Sequence, residues 1–398
     1  MRTIITNLRL LGLLLSSLST LFVGMSLFPI FPLYAAELGA GPGAVGASLA
    51  VIYVASTLGP MATGMLARRV PRKLLFIAAG IVGPPSIALL GHVTVLWQAV
   101  ALMAIAWFCG GVILTLVNVF TGIYAEGAVR GRAFALMSLS APLGALLGGA
   151  AITALLSRFD FAAACLGLAG VWSMLPLLGL LTLDSRAEQR EDAVRAPAPA
   201  AARPALAFYL VLAASLLSHI AIGVGRLGTS LLMQAQELPA TDVAATAAIS
   251  GIASIPLILL FGALGDRLGR RPAFALSGVL AAAGVALQIG ATAPWQFWLA
   301  ATLLLAAYCA SNALGAALAA DIVDQAALGG AMARYGAAGS VAAVISFAAA
   351  GYAFALLGPT PLFALAALLG LVAAAFVLQS GRQQAARQPA PVVVSGGD

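Results

Sequence analysis

The chain has 398 residues, 62% of them hydrophobic and 8% charged, with a formal net charge of +7. A soluble domain carries about a quarter charged residues, so this composition excludes a water-covered globular protein and requires a bilayer. In a soluble protein the positive balance would suggest nucleic acid; here it is what basic loops on one side of a membrane supply, and no nucleic-acid partner is expected. With about 20 mostly apolar residues as a spanning length, twelve transmembrane helices are predicted, at 8–36, 43–67, 73–91, 95–124, 132–156, 160–183, 205–235, 243–265, 272–291, 295–320, 331–357 and 360–380. The first run is long enough to span and others follow it, so no cleavable signal peptide is expected.

One long polar interruption, DSRAEQREDAVR and the Ala/Pro run after it, reads as a solvated linker over 184–204. It separates an N-terminal six-helix bundle, 1–183, from a C-terminal one, 205–381, with a disordered tail at 382–398. With the N-terminus inside, nearly all Lys and Arg residues fall on the cytoplasmic side; Arg158 falls outside and Arg226 within a span. The expected topology is therefore N-in and C-in, in the cytoplasmic membrane. Cys109, Cys165 and Cys309 lie in apolar runs and read as small buried hydrophobes rather than a disulfide or metal set.

GALGDRLGRRP, starting at Gly262, echoes GMLARRVPRKL, starting at Gly64, at an offset of 198 residues. The same offset carries Glu126 onto Asp324, Gly131 onto Gly329, and Ser140, Gly144 and Gly148 onto Ala338, Ala342 and Ser346. The halves thus read as parallel repeats about an axis along the membrane normal, an architecture that places a substrate site between them near the midplane. The small-residue stripes are expected to sit at the seam between the halves.

Two six-helix halves, a central loop and the G-x-L-x-D-R-x-G-R-R pattern of Gly262, Leu264, Asp266, Arg267, Gly269, Arg270 and Arg271 resemble the major facilitator superfamily. ELGAGPGAVG after the first span and VRGRAFAL at 129–136 are similar to that family's first half. APLGALLGG at 141–149 partly resembles an antiporter signature of the fifth helix, with altered spacing. The resemblance implies that helix 8 packs beside helix 5, that helix 2 packs beside helix 11, and that helices 1, 4, 7 and 10 line a central cavity.

Asp266 closes predicted helix 8, where a carboxylate opposes the macrodipole by about 0.3–1 kcal/mol unless paired. In the implied packing its donors are Arg130 and Arg132 at the start of helix 5, while Arg68 at the end of helix 2 faces Asp321 and Asp324 before helix 11. The expectation is two latches of opposite polarity that hold the halves together when the cavity faces outward; Arg267 and Arg270 belong to the same gate.

Predicted helix 7 carries Ser215, His219, Gly223, Arg226 and Ser230 at spacings of three and four, on one face. An Arg within a span costs about 2.5–3.5 kcal/mol on insertion scales and is expected to face a cavity or a partner. Arg226 reads as an anchor for an anionic or amphipathic substrate, as a gating contact to Glu37 or Glu237, or as a side chain snorkelling to the interface. His219 is a candidate proton-coupling group, because imidazole titrates near physiological pH and no carboxylate falls at a predicted midplane. Trp107 and Asn118 on helix 4 and Tyr308 and Asn312 on helix 10 complete the substrate-binding candidates, and Pro29 and Pro32 are expected to bend or loosen the outer end of helix 1.

The chain has no G-x-x-x-x-G-K-[ST] stretch for nucleotide, and its two histidines offer little for a metal site, so neither a pump, an enzyme nor a cofactor is expected. The reading is an all-α secondary transporter, expected to be monomeric in the bilayer, moving a small molecule by alternating access. Efflux of amphipathic or drug-like compounds, with H+ as the candidate coupling ion, is the first expectation. A small organic anion held by Arg226, or a flipped lipid or lysolipid, are the alternatives. A ligand-binding sensor is the competing class.

Overall fold

The structure is a computed structural model and describes residues 7–125, 133–134, 136–184, 206–323 and 328–385. Among these residues the chain forms twelve helical rods. The first half holds α1 (Leu8–Glu37), α2 (Pro42–Leu66), α3 (Arg72–Leu90), α4 (Leu96–Tyr124), α5 (Leu136–Leu156) and α6 (Phe161–Thr182, interrupted at Ser173). The second holds α7 (Leu206–Ala235), α8 (Ala240–Arg267), α9 (Arg270–Ala286), α10 (Pro294–Ile322), α11 (Leu328–Leu357) and α12 (Pro359–Ala385). Eleven are long and apolar enough to cross a membrane; α9 falls short because its regular part is 17 residues. α12 runs to Ala385, past the expected bundle end at 381. Beyond Asp184, the linker lies outside the described residues, as does the tail after Ala385.

The 198-residue repeat survives in three dimensions. α1, α2, α3, α4 and α6 begin at 8, 42, 72, 96 and 161, and their counterparts begin at 206, 240, 270, 294 and 359. Trp97 and Trp295, one at the start of α4 and one at the start of α10, are both exposed, as interfacial aromatics are. Large apolar side chains such as Leu181 and Leu356, 77% and 81% exposed, cover the outside of the bundle. Such an exterior suits lipid rather than water.

Local signals account for several helix ends. Asn7 caps α1 through its Oδ1, which accepts from the backbone N–H groups of Arg9 and Leu10. Asp160 does the same for α6, accepting from Ala163 at 2.8 Å. α1 runs unbroken through Pro29 and Pro32, so the expected loosening of its end is not seen in this conformation.

Because the helices alternate in direction, the start of α1, the end of α6, the start of α7 and the end of α12 lie at one end of the bundle, here the linker end; the other is the distal end. Between the halves, α2 packs along α11 and α5 along α8 more extensively than any other pair, as the family resemblance implied. These seams are tight in their distal portions. A Cβ on Gly46 would overlap the Phe347 carbonyl and lie 2.7 Å from the Gly351 Cα, so only glycine permits this approach of α2 and α11. On the other seam Gly149 abuts Ala247 and Ala248, and Gly251 abuts Pro142 and Leu146. Towards the linker end of the α2/α11 seam, a Cβ on Gly64, Gly336 or Gly339 would meet no described atom within 4 Å.

The small-residue stripes do not lie where they were expected. Gly144 and Gly148 pack on Leu21, Phe22 and Ser26 of α1, within the first half. Ser346 packs on Gly223 of α7, within the second. The stripes therefore seat α1 and α7 inside their own bundles, and it is the neighbouring Gly149 that faces the partner half. A helix face spans only about 100°, so one residue of advance turns a side chain from one neighbour to the other.

Candidate functional site

Helix α7 brings the site together. Gly223 and Arg226, with His219 one turn earlier, border a cavity of about 230 Å³ that also meets Tyr53, Ser56 and Thr57 of α2, Tyr308 and Asn312 of α10, and Ser340 of α11. Arg226 borders a second chamber of about 170 Å³, walled by Thr20, Phe28, Trp107, Trp172 and Leu114. It also borders a third of about 50 Å³, beside Ser230, Thr246 and Ser250. One guanidinium thus stands where three cavities meet, between the two halves.

Its own contacts are unusual for an arginine. The guanidinium carbon lies 4.2 Å from the centre of the Phe28 ring and 6.0 Å from that of Tyr308. One nitrogen is 3.9 Å from the Met25 sulfur. Among the described residues no carboxylate lies within ion-pair distance of Arg226, and the expected contact to Glu37 or Glu237 is not formed. Phe28 and Met25 come from the first half and Tyr308 from the second, so Arg226 is a contact between halves made of π-faces and sulfur instead of a counter-charge. Phe28, Tyr53 and Phe347 pack on one another edge-on or tilted, with ring centres 4.6–6.3 Å apart, tying α1, α2 and α11 together beside it.

His219 is 7% exposed and edge-on to Tyr308, with ring centres 5.7 Å apart. Its Nδ1 lies 2.8 Å from the Ser215 carbonyl oxygen. Asn312 donates from Nδ2 to the Tyr308 carbonyl at 2.9 Å. Of the residues expected from the sequence, Arg226, His219, Tyr308, Asn312, Trp107 and Ser230 thus border these cavities. Asn118 does not: it is exposed on α4 nearer the linker end and borders none of the three. Tyr53, Ser56, Thr57 and Ser340 were missed because α2 and α11 were read as seam helices only. The one available signal was three polar residues within a single turn of α2.

At the linker end the charges are arranged only partly as expected. Asp266, Arg267 and Arg68 are exposed and make no ion pair among the described residues. Asp321 is held by Arg270 of its own half at 2.6 Å, not by Arg68. Arg270 follows the turn at Gly269 and reaches the end of α10, a shorter path than one across the open seam. Arg130, Arg132 and Asp324 lie outside the described residues. Arg9 pairs with Asp184 at 3.1 Å, and the Asp184 N–H donates to the Tyr124 hydroxyl at 2.8 Å, fastening the start of the linker to α1 and α4.

Two repeated bundles that enclose cavities lined from both sides, with an α2/α11 seam tight at one end and open at the other, define a carrier that works by alternating access. The chain belongs to the Major Facilitator Superfamily, which it matches over residues 13–236 and 211–393. It is a secondary transporter of small molecules and not an enzyme. Its fold is similar to that of the nucleoside transporter NupG (16% identity, TM-score 0.73, 94% of this chain and 99% of that one covered). It is also similar to a POT peptide transporter solved with sulfate (14%, 0.72, 94% and 95%) and to a POT family transporter in complex with 5-aminolevulinic acid (12%, 0.72, 94% and 96%). At these identities the likeness shows the fold alone. No curated protein matches the chain.

Proposed function

We propose that this transporter carries a small amphipathic organic anion across the cytoplasmic membrane. The observation that carries this reading is Arg226: a guanidinium between the halves, bordering three cavities, with aromatic rings and a thioether but no carboxylate beside it. A cation set in apolar surroundings favours an anionic ligand, because the ligand's charge replaces both the missing counter-ion and the missing water. Phe28, Trp107 and Trp172 offer the same ligand an apolar wall. In this reading the linker end is cytoplasmic, on the distribution of Lys and Arg, and the conformation is open to the cytoplasm. The carrier acts as a monomer.

The test is flux into proteoliposomes of a panel of carboxylate-bearing amphiphiles beside uncharged and cationic analogues. The expected result is that Arg226→Gln lowers carboxylate flux at least tenfold and leaves the uncharged analogues within about threefold, since a hydrogen bond to a charged group contributes about 1.5–3 kcal/mol. Equal loss for every analogue would refute the reading.

Export of uncharged or cationic drug-like compounds is the second reading, favoured by the aromatic walls of the 170 Å³ chamber. The α5 stretch 141–149 adds no direction, since Pro142 and Gly149 are engaged in packing against α8. His219 is the candidate proton-coupling group of either reading. If it carries the coupling proton, His219→Gln abolishes accumulation driven by a pH gradient but spares exchange at equal pH.

A further inference from the structure

His219 is held in one tautomer by its own helix. Its Nδ1 lies 2.8 Å from the Ser215 carbonyl oxygen one turn earlier. A carbonyl oxygen can only accept, so Nδ1 carries the hydrogen, and in the neutral ring Nε2 is left with a lone pair and no hydrogen. Nε2 is buried and makes no hydrogen bond. Asn312, beside it, donates one Nδ2 hydrogen to the Tyr308 carbonyl and makes no hydrogen bond to Nε2. A buried acceptor without a donor is costly and uncommon in folded proteins. This one belongs to a residue that borders the 230 Å³ cavity, which Arg226 also borders.

The two groups form a pair of complementary needs. Seven residues of helix separate His219 from Arg226, a rise of about 10 Å. The Tyr308 ring lies within reach of both, 5.7 Å from the imidazole centre and 6.0 Å from the guanidinium carbon. One group lacks an anion and the other lacks a hydrogen-bond donor. Ser56, Thr57 and Ser340 border the same cavity and keep it polar away from the rings.

We propose that the transported anion also carries a hydrogen-bond donor, a hydroxyl or an ammonium, remote from its charge. The anionic group meets Arg226, the donor meets Nε2 of His219, and the molecule between them lies along the Tyr308 ring. This rests on the reading of Arg226 as the anion site and adds the second point of recognition. A plain fatty-acid-like anion satisfies Arg226 alone and leaves Nε2 bare, so the site discriminates against it.

Calorimetry on the intact protein in detergent micelles tests this with a chain-length series of ω-hydroxy and ω-amino carboxylates against methyl-ended carboxylates of equal length. At one chain length a donor-ended compound should bind about tenfold tighter than its methyl-ended partner, the size of one net hydrogen bond. The stronger of the hydroxy and amino arms names the donor. His219→Phe should bring that ratio to about one, and an unchanged circular dichroism spectrum and thermal unfolding midpoint show that the variant is folded. His219→Gln, which keeps an acceptor on a side chain of similar reach, should retain part of the preference. Donor-ended and methyl-ended compounds binding alike at every length, or a preference that survives His219→Phe, would overturn the proposal. If Arg226→Gln leaves carboxylate binding unchanged, or no carboxylate binds, the Arg226 reading fails and this inference falls with it.

Discussion

A guanidinium within the membrane costs roughly 2.5–3.5 kcal/mol to insert, and at Arg226 part of that is returned by the Phe28 ring 4.2 Å away. The ring also fixes where the charge sits relative to the first half. Phe28→Leu keeps the volume apolar and removes the π-face. It should raise the KM for a carboxylate substrate about three- to tenfold with little change in kcat, in line with about 0.5–2 kcal/mol for a cation over an aromatic face; initial-rate flux measures it. A second residue explains a difference that the repeat left open. Gly269, which precedes α9, has φ +91°, whereas Pro71, its counterpart before α3, has φ −53°. The two loops are similar in sequence and different in backbone, because a side chain at Gly269 would be strained in the left-handed region. Gly269→Ala should lower the thermal unfolding midpoint, while Pro71→Ala should lower it less.

Among the elements, the seams decide the state of the carrier. α2 and α11 meet through Gly46 and Gly351, and α5 and α8 through Gly149 and Gly251, all in the distal portion. A leucine at Gly46 cannot be accommodated against the Phe347 carbonyl without parting the helices. Gly46→Leu is therefore expected to populate a distal-open state and lower transport at least tenfold, read by spin-label distances across the distal ends of α2 and α11. The linker-end charges belong to the opposite state. Among the described residues Asp266 makes no ion pair, and its expected partners Arg130 and Arg132 lie outside them. Asp266→Asn should shift the spin-label distributions further towards the linker-open state and slow transport severalfold. Unchanged distributions would remove the latch. Arg68→Ala should matter less, since Arg270 already holds Asp321.

Across the whole molecule, the expected orientation rests on where the basic residues lie. In a background lacking Cys109, Cys165 and Cys309, a cysteine at Ser157, exposed in the distal loop before α6, should react with an impermeant maleimide added outside intact cells. A cysteine at Arg69, exposed in the loop after α2, should react only after permeabilisation. The reverse pattern would invert the topology.

Fold and architecture were legible in the sequence. A bilayer leaves backbone groups no partner but their own helix, so long apolar runs specify spans, and the 198-residue echo specifies two like bundles. The polar face of α7 was legible for the same reason: His219 and Arg226 are rare within apolar runs and recur at helical spacing. Partners across helices were not legible, because apolar residues such as Phe28 and Met25 look alike along the chain until packing selects the ones that meet a charge. The contribution of Tyr53, Ser56 and Thr57, the turning of the small stripes onto α1 and α7, and the capture of Asp321 by Arg270 all depend on which neighbour a helix face is given. By itself the sequence determined a twelve-helix, two-bundle carrier with an arginine within one of its spans. Only the tertiary structure decided that the arginine stands on aromatic rings without a counter-charge, since that depends on how the two halves close on each other and not on the order of residues within either.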